Sequence, residues 1–555
     1  MPGRPMATRL ASSSLGQWAA RLGMAALLGC QTPALRAALP QPVDIAPVVA
    51  ADPGSSLPAD WRSGVFMQIY VRGYQDSDGD GVGDLRGLIS RLDYLKALGI
   101  SGLWLMPVTR SQDRDHGYAT SDYRNIEEDY GTLADFDELL RQAHARGIGV
   151  VIDYVLNHSA ADHALFQHAQ SGPADPYRDW YVWADPRPEG WHIYGNNPWY
   201  ETDHGAYFAG FWSEMPDFNL KNAQVLAWHH DNLRFWLNRG VDGFRFDAVG
   251  NLVENGPLAW EGQPENHRIM AEVRQLVHSY AQRFMVCEAP GDAIGFAAAD
   301  SCGCSFAFGH QNRIVGAALG SPAMVSQVAE YFDKAPADGM ATFVSNHDSF
   351  AGQRLWDRVR GDPAAYRLAA ATYLLQPGTP FIYYGEEIGM AGGLGLSGDH
   401  KLRTPMSWRG DPVNAGFSTV EPFRAVSANV RSHNVEAQQA DPDSLLSFYR
   451  GLIGLRNQRP SLRSGRYVAP RAEGWVMSFQ RVAAQEHTLV VLNYKRDPVR
   501  AKLVDLPRGA RLEPLWSGGK APAPTALRVD RRGQWRVQLP AQSVQVFKVV
   551  TDAGR

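Results

Sequence analysis

Three acidic residues of this sequence stand where paired carboxylates could do chemistry. Asp247, Glu288 and Asp348 each lie close to the end of a short apolar, β-branched run. A retaining glycoside hydrolase uses one ionised carboxylate and one protonated carboxyl, about 5–5.5 Å apart. Arg245 precedes Asp247 by two residues, so both side chains lie on one face of a strand. A guanidinium at that position would keep the carboxylate ionised and oriented.

A second acidic group, "DSDGDGVGD" (76–84), is typical of a calcium loop. Carboxylate oxygens are the ligands that Ca²⁺ prefers, and Gly81 permits a sharp turn. An EF-hand would need a bidentate Glu at its twelfth position, where this chain has Gly87. An EF-hand would also need flanking helices, whereas residues 64–74 have the pattern of a buried strand. The sequence therefore argues against a calcium sensor.

The elements that must position the acids are short apolar runs that alternate with amphipathic helical stretches after Trp61. The runs are 65–71, 102–108, 149–158, 241–249, 284–290, 341–348 and 380–387, with a weaker candidate at 305–310. Strands buried on both faces and separated by helices indicate a parallel sheet, and eight of them predict a closed (β/α)₈ barrel. A doubly wound open sheet is the alternative. The polar residues near the C-terminal ends of these runs, which face the active-site mouth of a barrel, are Asn157, His158, Asp247, Glu288, His347 and Asp348.

Two segments do not fit the barrel pattern. Residues 159–222 lie between the third strand and its helix and include 14 aromatic residues. The segment is too long and too rich in aromatic residues for a structureless loop. We expect an inserted domain there, whose aromatics form a small core of its own and partly line a cleft. After residue 460 the hydrophobic period becomes two, which predicts an antiparallel β-sandwich over 465–550. The barrel is then divided into 58–158 and 223–460.

The bulk composition excludes some partners. The chain has 555 residues with 45% hydrophobic and 20% charged residues, as expected of a globular protein of two or three domains. Its net charge of -4 offers no basic footprint, so we expect no nucleic-acid partner.

The N-terminus predicts export. Arginines followed by the apolar stretch "LGMAALLGC" (22–30) are typical of a signal peptide over 1–30, with a linker over 31–57. "LLGC" is similar to a bacterial lipobox, which would leave a lipid anchor on Cys30 as the chain's one attachment to a membrane. We expect a periplasmic, surface-anchored or secreted protein; the alternative is a plain signal cut near 34–40.

The remaining cysteines are Cys287, Cys302 and Cys304. Three thiols cannot form a disulfide framework, although a Cys287–Cys302 pair stays open.

Seven short motifs together resemble the α-amylase superfamily, glycoside hydrolase family 13, over residues 61–550. They are "HGYATSDY" (116–123), "DYVLNH" (153–158), "MPDFN" (215–219), "GFRFDAV" (243–249), "VCEA" (286–289), "VSNHD" (344–348) and "PGTPFIYYGEE" (377–387). The resemblance implies that Asp247 is the nucleophile, Glu288 the acid and base, and Asp348 a third acid that holds sugar hydroxyls. The implied sugar contacts are Tyr118 as a platform, His158, Arg245 and His347. The implied ligands of a structural Ca²⁺ are Asp76, Asp78, Asp80, Asp84 and the carbonyl of Val82.

The substrate is the part that the resemblance leaves open. Many α-glucosidases have Asp after the Gly-Tyr of the first motif, where this chain has Ala119, and Ala248 favours α-1,4 over α-1,6 bonds. "AVGNL" (248–252) departs from the Lys-His of many α-amylases, which leaves a second calcium site unassigned. We therefore expect a monomeric α-amylase acting on starch or maltooligosaccharides. The alternatives are an exo-acting α-glucosidase or oligo-1,6-glucosidase, a transglycosylase such as a trehalose synthase, and a binding protein on an inactive barrel.

Overall fold

The computed structural model of the chain describes residues 39–41, 44–113, 115–518 and 527–551. The predicted signal peptide 1–30, with Cys30, and linker residues 31–38 and 42–43 lie outside the described residues. No described helix is long and apolar enough to cross a membrane.

Eight parallel strands close into a barrel, in which each strand pairs with its neighbours in the sequence. The strands are β1 (Val65–Ile69), β2 (Ile100–Leu105), β3 (Gly149–Tyr154), β4 (Gly243–Phe246), β5 (Phe284–Cys287), β6 (Ser305–Phe306), β7 (Met340–Thr342) and β8 (Thr379–Tyr383). Each predicted run contributes one strand, including the weaker candidate. The ring closes where Phe66 of β1 lies opposite Phe381 of β8. The closure confirms the barrel and excludes the open sheet.

Helices surround the barrel and connect its strands. The main ones are Leu85–Ser90, Leu92–Leu98, Leu133–Ala145, Ala223–Arg239, Pro264–His278, His310–Ala318, Pro322–Glu330, Pro363–Leu375 and Leu445–Gln458; shorter ones are Ala164–Ala169, Ala293–Phe296, Leu355–Arg358, Val435–Gln438 and Pro460–Ser464. Their ends follow local sequence rules. Thr132 and Asp135 form a reciprocal capping box at the start of one helix. Gly240, at φ 103°, ends another in the left-handed conformation.

Aromatic rings fill the lower part of the barrel and form the floor beneath the candidate site. The ring of Phe66 lies 5.0 Å from that of Phe284 and 4.9 Å from that of Phe381. Above them Trp104 packs against Phe306 at 5.1 Å. Because rigid rings resist displacement, the strand ends above this layer have a fixed base.

Residues 159–222 carry a separate small sheet beside β3, while side chains such as Phe166, Tyr181 and Phe218 belong to the main hydrophobic core. This three-stranded sheet consists of Trp183–Ala184, Trp199–Thr202 and Gly205–Phe208. Many of the segment's aromatics pack on each other, as in the cluster of Trp199, Phe208 and partly buried Trp191. A hairpin of Thr109–Ser111 and Thr120–Ile126 lies between β2 and the next helix.

The C-terminal part is antiparallel, with one six-stranded and one two-stranded sheet. The strands are Arg466–Glu473, Val476–Ala483, Glu486–Asn493, Val499–Leu503, Arg511–Gly518, Leu527–Arg528, Trp535–Leu539 and Ser543–Val550. A hydrophobic cluster that includes Leu489, Leu503, Trp535 and Phe547 holds the two sheets together.

Part of the predicted linker is attached to the barrel. In residues 44–57 the amide of Val48 donates to Asp231 Oδ1 at 3.0 Å, and the side chain of Asn238 bonds the backbone of Val49 and Ala51. Leu57 is buried. This stretch has no helix or strand, yet it follows the helix Ala223–Arg239 through fixed hydrogen bonds.

Candidate active site

The three predicted acids converge at the C-terminal end of the barrel. Asp247 follows β4 directly, and its amide donates to Tyr154 O at 3.2 Å. Glu288 follows β5 directly, and its amide donates to Phe246 O at 2.9 Å. Both positions are therefore fixed by the barrel ladder. Asp348 comes from the loop that follows β7.

Arg245 lies at the centre of the site and is 1% exposed. Its Nη1 donates to Asp247 Oδ1 at 2.7 Å and to Asp153 Oδ1 at 2.8 Å. Its Nη2 lies 2.8 Å from Glu288 Oε2. One guanidinium thus holds the predicted nucleophile and the predicted acid side by side, as the alternation of side chains along β4 suggested.

Burial makes both carboxyl groups harder to ionise than free side chains. It raises the pKa of Asp247 to about 6, against the opposing charge of Arg245. Burial also raises the pKa of Glu288 to about 7, where Arg245 opposes it and the charge of Asp247 adds to it. The hydrogen bond between the two groups lowers the pKa of Asp247 and raises that of Glu288, which favours an ionised Asp247 beside a protonated Glu288.

The backbone beside Glu288 is strained. Ala248 has φ 46°, a left-handed conformation that costs a non-glycine residue about 1 kcal/mol. This conformation directs its amide to Glu288 Oε2 at 3.2 Å. The strain at Ala248 thus supplies a hydrogen bond to the candidate acid.

Asp348 and His347 adjoin the acids on the β7 side. His347 Nε2 lies 3.0 Å from Asp348 Oδ2 and 2.7 Å from the Tyr118 hydroxyl. The side-chain amide nitrogen of Gln68 lies 2.7 Å from Nδ1 of His347 and donates to it. The proton of the neutral imidazole is therefore on Nε2. Burial lowers the pKa of His347 well below its ordinary value, and burial raises that of Asp348 to about 7 despite Arg403.

Tyr118 contacts the central guanidinium, and His158 lies in the loop directly after β3. Three polar groups fix the Tyr118 hydroxyl, including Asp153 Oδ2 at 3.0 Å and Arg245 Nη1 at 3.1 Å, so its ring is held in one orientation. His158 is 1% exposed, and burial lowers its pKa to about 3. Among the described residues its Nε2 has no hydrogen-bond partner, which leaves a buried polar atom available to a hydroxyl of a ligand.

Sequence reasoning gave no role to Asp153, although it stands in the motif 153–158. Asp153 is 3% exposed, and besides Arg245 it accepts from Trp104 Nε1 at 3.1 Å. It thereby links the aromatic floor of the barrel to the central guanidinium. Its position near the end of β3, in register with Arg245 of β4, was the available indication.

Sequence reasoning also missed an ionic network beside Asp348. Arg403, from the long loop after β8, donates to Asp348 Oδ1 at 3.0 Å and lies 3.6 Å from Asp115 Oδ2. Asp115, from the loop after β2, also accepts from Arg424 at 2.6 Å and from the Tyr70 hydroxyl at 2.9 Å. Burial would raise the pKa of Asp115, but the two arginines hold it at about 2.

We call Asp115, Arg403 and Arg424 the ionic wall. It joins two loops that are distant in the sequence, directly beside the third acid. No local pattern indicates it, because its members come from loops without hydrophobic periodicity.

The predicted calcium loop brings three of its four carboxylates together. One oxygen each of Asp76, Asp78 and Asp84 lie within 4.8 Å of one another. Asp80 is not part of this group; its Oδ1 accepts from the amide of Val82 at 2.7 Å. Burial raises the pKa of Asp78, and the negative charges of Asp80, Asp84 and Asp76 raise it further. Three converging carboxylates fit a hard cation, which would offset their repulsion.

A disulfide joins Cys287 to Cys302. Cys287 directly precedes Glu288, so the bond ties the loop that follows the candidate acid back to β5. Of the pairings that the sequence left open, the structure forms this one, and Cys304 is a buried free thiol.

Comparison with known proteins supports this assembly. The family model "Alpha amylase, catalytic domain" matches residues 68–465. The chain belongs to this family. It is an α-amylase-family glycoside hydrolase, and its resemblance in the seven motifs is confirmed. Such a family implies an oligosaccharide substrate.

Three relatives illustrate the range of the family. The chain is 33% identical to an alpha-glucosidase of Pediococcus pentosaceus, covering 73% of this chain and 86% of the relative. It is 32% identical to an oligo-1,6-glucosidase of Heyndrickxia coagulans, covering 73% and 87%. The solved alpha-amylase from H. orenii superposes with a TM-score of 0.76 at 31% identity, covering 88% and 100%. The prediction of an α-amylase is thus supported at the level of the family, and the glucosidase alternatives fit the sequence relatives better.

Proposed function

We propose that the protein is a retaining, exo-acting α-glucosidase that removes terminal glucosyl units from short α-glucosides. The ionic wall carries this proposal. It connects the loops after β2 and β8 next to Asp348. We infer that this network closes the cleft behind the sugar that Asp247 attacks, so that the site accepts a chain end and excludes a long polysaccharide.

The chemistry follows from the two carboxyl groups. Ionised Asp247 attacks the anomeric carbon while Glu288 gives its proton to the glycosidic oxygen, so that bond breaks and an ester to Asp247 forms. Glu288, now a carboxylate, takes a proton from water as the water oxygen attacks the same carbon and releases Asp247. A sugar hydroxyl in place of water would give transfer instead of hydrolysis.

The surrounding groups hold the sugar for this reaction. The ring of Tyr118 offers a stacking platform, and the unpartnered Nε2 of His158 offers a hydrogen bond to a hydroxyl. Asp348 supplies an acceptor for a further hydroxyl, and His347, whose Nε2 lies between Asp348 and the Tyr118 hydroxyl, positions both. These roles rest on geometry and on the family resemblance together.

Asp115 supplies the carboxylate whose absence at Ala119 argued against an α-glucosidase. Ala119 lacks the carboxylate that many α-glucosidases have after Gly-Tyr, which favoured an endo-acting α-amylase. Asp115 lies four residues earlier in the same loop and brings a carboxylate to Arg403. The names of two of the relatives, alpha-glucosidase and oligo-1,6-glucosidase, support the exo-acting proposal, and the alpha-amylase structure keeps the endo-acting enzyme as the second candidate.

The product pattern tests the proposal. Purified protein is incubated with maltoheptaose and with maltose, and the products are followed over time by chromatography. Glucose as the first product from both substrates supports an α-glucosidase. Early mixed products of three to five sugars, with maltose left intact, would overturn it in favour of an α-amylase. Excess maltose as acceptor separates hydrolysis from transfer, because transfer yields trisaccharides or an isomer of maltose.

A variant of the ionic wall tests whether this network recognises the end of the substrate chain. Asp115→Ala removes a charge-assisted contact, so we expect kcat/KM for maltose to fall about 10- to 100-fold. The kcat/KM for maltoheptaose should fall less, because this longer substrate makes additional contacts at its other end. Glu128→Gln, an exposed carboxylate on the neighbouring segment, is the matched control. Equal losses on both substrates would argue against a role of the wall in chain-end recognition.

We also propose that Ca²⁺ binds the cluster of Asp76, Asp78 and Asp84 and stabilises the loop after β1, without taking part in catalysis. Export and a lipid on Cys30 remain predictions from the sequence, as does a monomeric state.

A further inference from the structure

A cavity of about 320 Å³ opens at the N-terminal end of the barrel, opposite the candidate active site. The starts of β5 and β8 contribute Phe284 and Thr379 to its wall. Its charged lining consists of Arg62, Arg274, Arg283, Arg463, His278 and a single carboxylate, Asp338. Four guanidinium groups and one carboxylate thus face the cavity, and the positive charge that remains there depends on the partners of the four arginines.

Two of the arginines have carboxylate partners outside the lining. Arg463 Nη1 lies 2.5 Å from Asp60 Oδ2. Arg283, 1% exposed, lies 3.6 Å from Asp52 Oδ1 and 3.7 Å from Asp242 Oδ1. These pairs hold the two side chains in place and neutralise much of their charge.

The other two arginines have none. Among the described residues, no carboxylate lies within 4.0 Å of Arg62 or Arg274. Arg62 Nη1 donates to Arg283 O at 3.3 Å, and Arg274 Nη1 donates to Ala299 O at 2.6 Å. The buried Nε of Arg274 has no acceptor in the described part of the chain. Burial lowers the pKa of His278, and the positive charges of Arg274 and Arg62 lower it further.

A small anion of high charge fits these donors. A guanidinium fork binds phosphate with two parallel hydrogen bonds, and Ser63 and Ser464 belong to the same wall. The cavity is larger than a phosphate ion alone, so an organic substituent could share it. We propose that this cavity binds a phosphate dianion, either inorganic or as the phosphomonoester of a small sugar.

The position of the cavity indicates what binding would do. Its walls come from the segment before β1, the helix Pro264–His278, the loop after Cys302 and the end of the helix Pro460–Ser464, which leads into the C-terminal sheets. A phosphate held by Arg62 and Arg274 would link these segments and stabilise the folded state by mass action. Because the cavity is at the far end of the barrel from Asp247, we expect kcat to stay unchanged. This site is independent of the proposed glucosidase function.

Calorimetric titration and thermal unfolding of the full chain test the site. Inorganic phosphate and glucose 6-phosphate are compared with chloride at constant ionic strength. We expect saturable binding and a saturable rise in Tm from at least one of the two; tighter binding of glucose 6-phosphate would identify a phosphomonoester site. Absence of binding by both, or an equal rise of Tm in chloride, would overturn the proposal.

Variants locate the binding. Arg62→Gln with Arg274→Gln should weaken phosphate binding at least tenfold, or about 1.4 kcal/mol. Arg531→Gln, an exposed arginine of the C-terminal part, should leave it unchanged. Unaltered affinity in the double variant would refute the site. If the double variant does not fold, Arg62→Gln alone, at an exposed side chain, must still weaken the binding.

Discussion

Replacing Arg245 by Met removes the one positive charge that contacts Asp153, Asp247 and Glu288. Met preserves much of the volume of the buried side chain and none of its charge. An adjacent cation lowers the pKa of a carboxyl by about one to three pH units. Without it, burial and the repulsion between neighbouring carboxylates dominate, and the pKa values of Asp247 and Glu288 both rise. The chemistry needs Asp247 ionised and Glu288 protonated, so both limbs of the pH profile move to higher pH.

The magnitude follows from the present values. With the pKa of Asp247 at about 6, half of the nucleophile is ionised at pH 6. A rise by one to three pH units lowers that fraction, and with it kcat/KM at pH 6, about 5- to 500-fold. The native enzyme should be most active between about pH 6 and 7, and the variant one to three pH units higher.

The assay is kcat/KM for maltose or a chromogenic α-glucoside from pH 4 to 10. Arg245→Lys, which keeps a positive charge, is the matched control and should shift the profile less. Circular dichroism and thermal unfolding confirm that the variants are folded. A profile that loses height without moving along the pH axis would refute the electrostatic reasoning and leave Arg245 only a structural role.

Three further predictions concern other parts of the molecule. Glu288→Gln should lower kcat/KM about 10²- to 10⁴-fold on maltose, and less on an aryl glucoside whose leaving group needs no proton, measured by initial rates; equal losses would argue against an acid role. A chelator should lower the Tm of the native chain and have no effect on Asp78→Asn, and an unchanged native Tm would count against a bound cation. Cys287→Ser with Cys302→Ser opens a loop with a sequence separation of 15 residues and should lower the free energy of unfolding by about 3 kcal/mol, measured in denaturant, while Cys304→Ser should have a smaller effect.

The barrel and its acids could be predicted because both have local causes. Each strand lies in a short apolar run, and a polar residue that follows the strand faces the C-terminal mouth once the strand is parallel to its neighbours. Asp247 and Arg245 share a face of β4 because side chains alternate. The hydrophobic period of two likewise predicted the strands after residue 460.

The calcium loop shows where such reasoning stops. The spacing of Asp76, Asp78, Asp80 and Asp84 treats all four carboxylates alike. In the folded loop Asp80 turns to the amide of Val82, and the other three converge. Spacing determines which side chains are available, whereas the backbone path decides which of them meet.

The sequence by itself determined the barrel and the family, and it singled out the three candidate catalytic carboxylates. Only the tertiary structure decided what surrounds them. Asp115 and Arg424 are 309 residues apart and meet because closure of the barrel brings the loops after β2 and β8 together. The disulfide beneath Glu288, the attachment of residues 44–57 and the cationic cavity arise in the same way. The short-range hydrophobic pattern of the sequence determines whether a segment forms a helix or a strand. Contacts between distant loops depend instead on where the folded barrel places the ends of those loops.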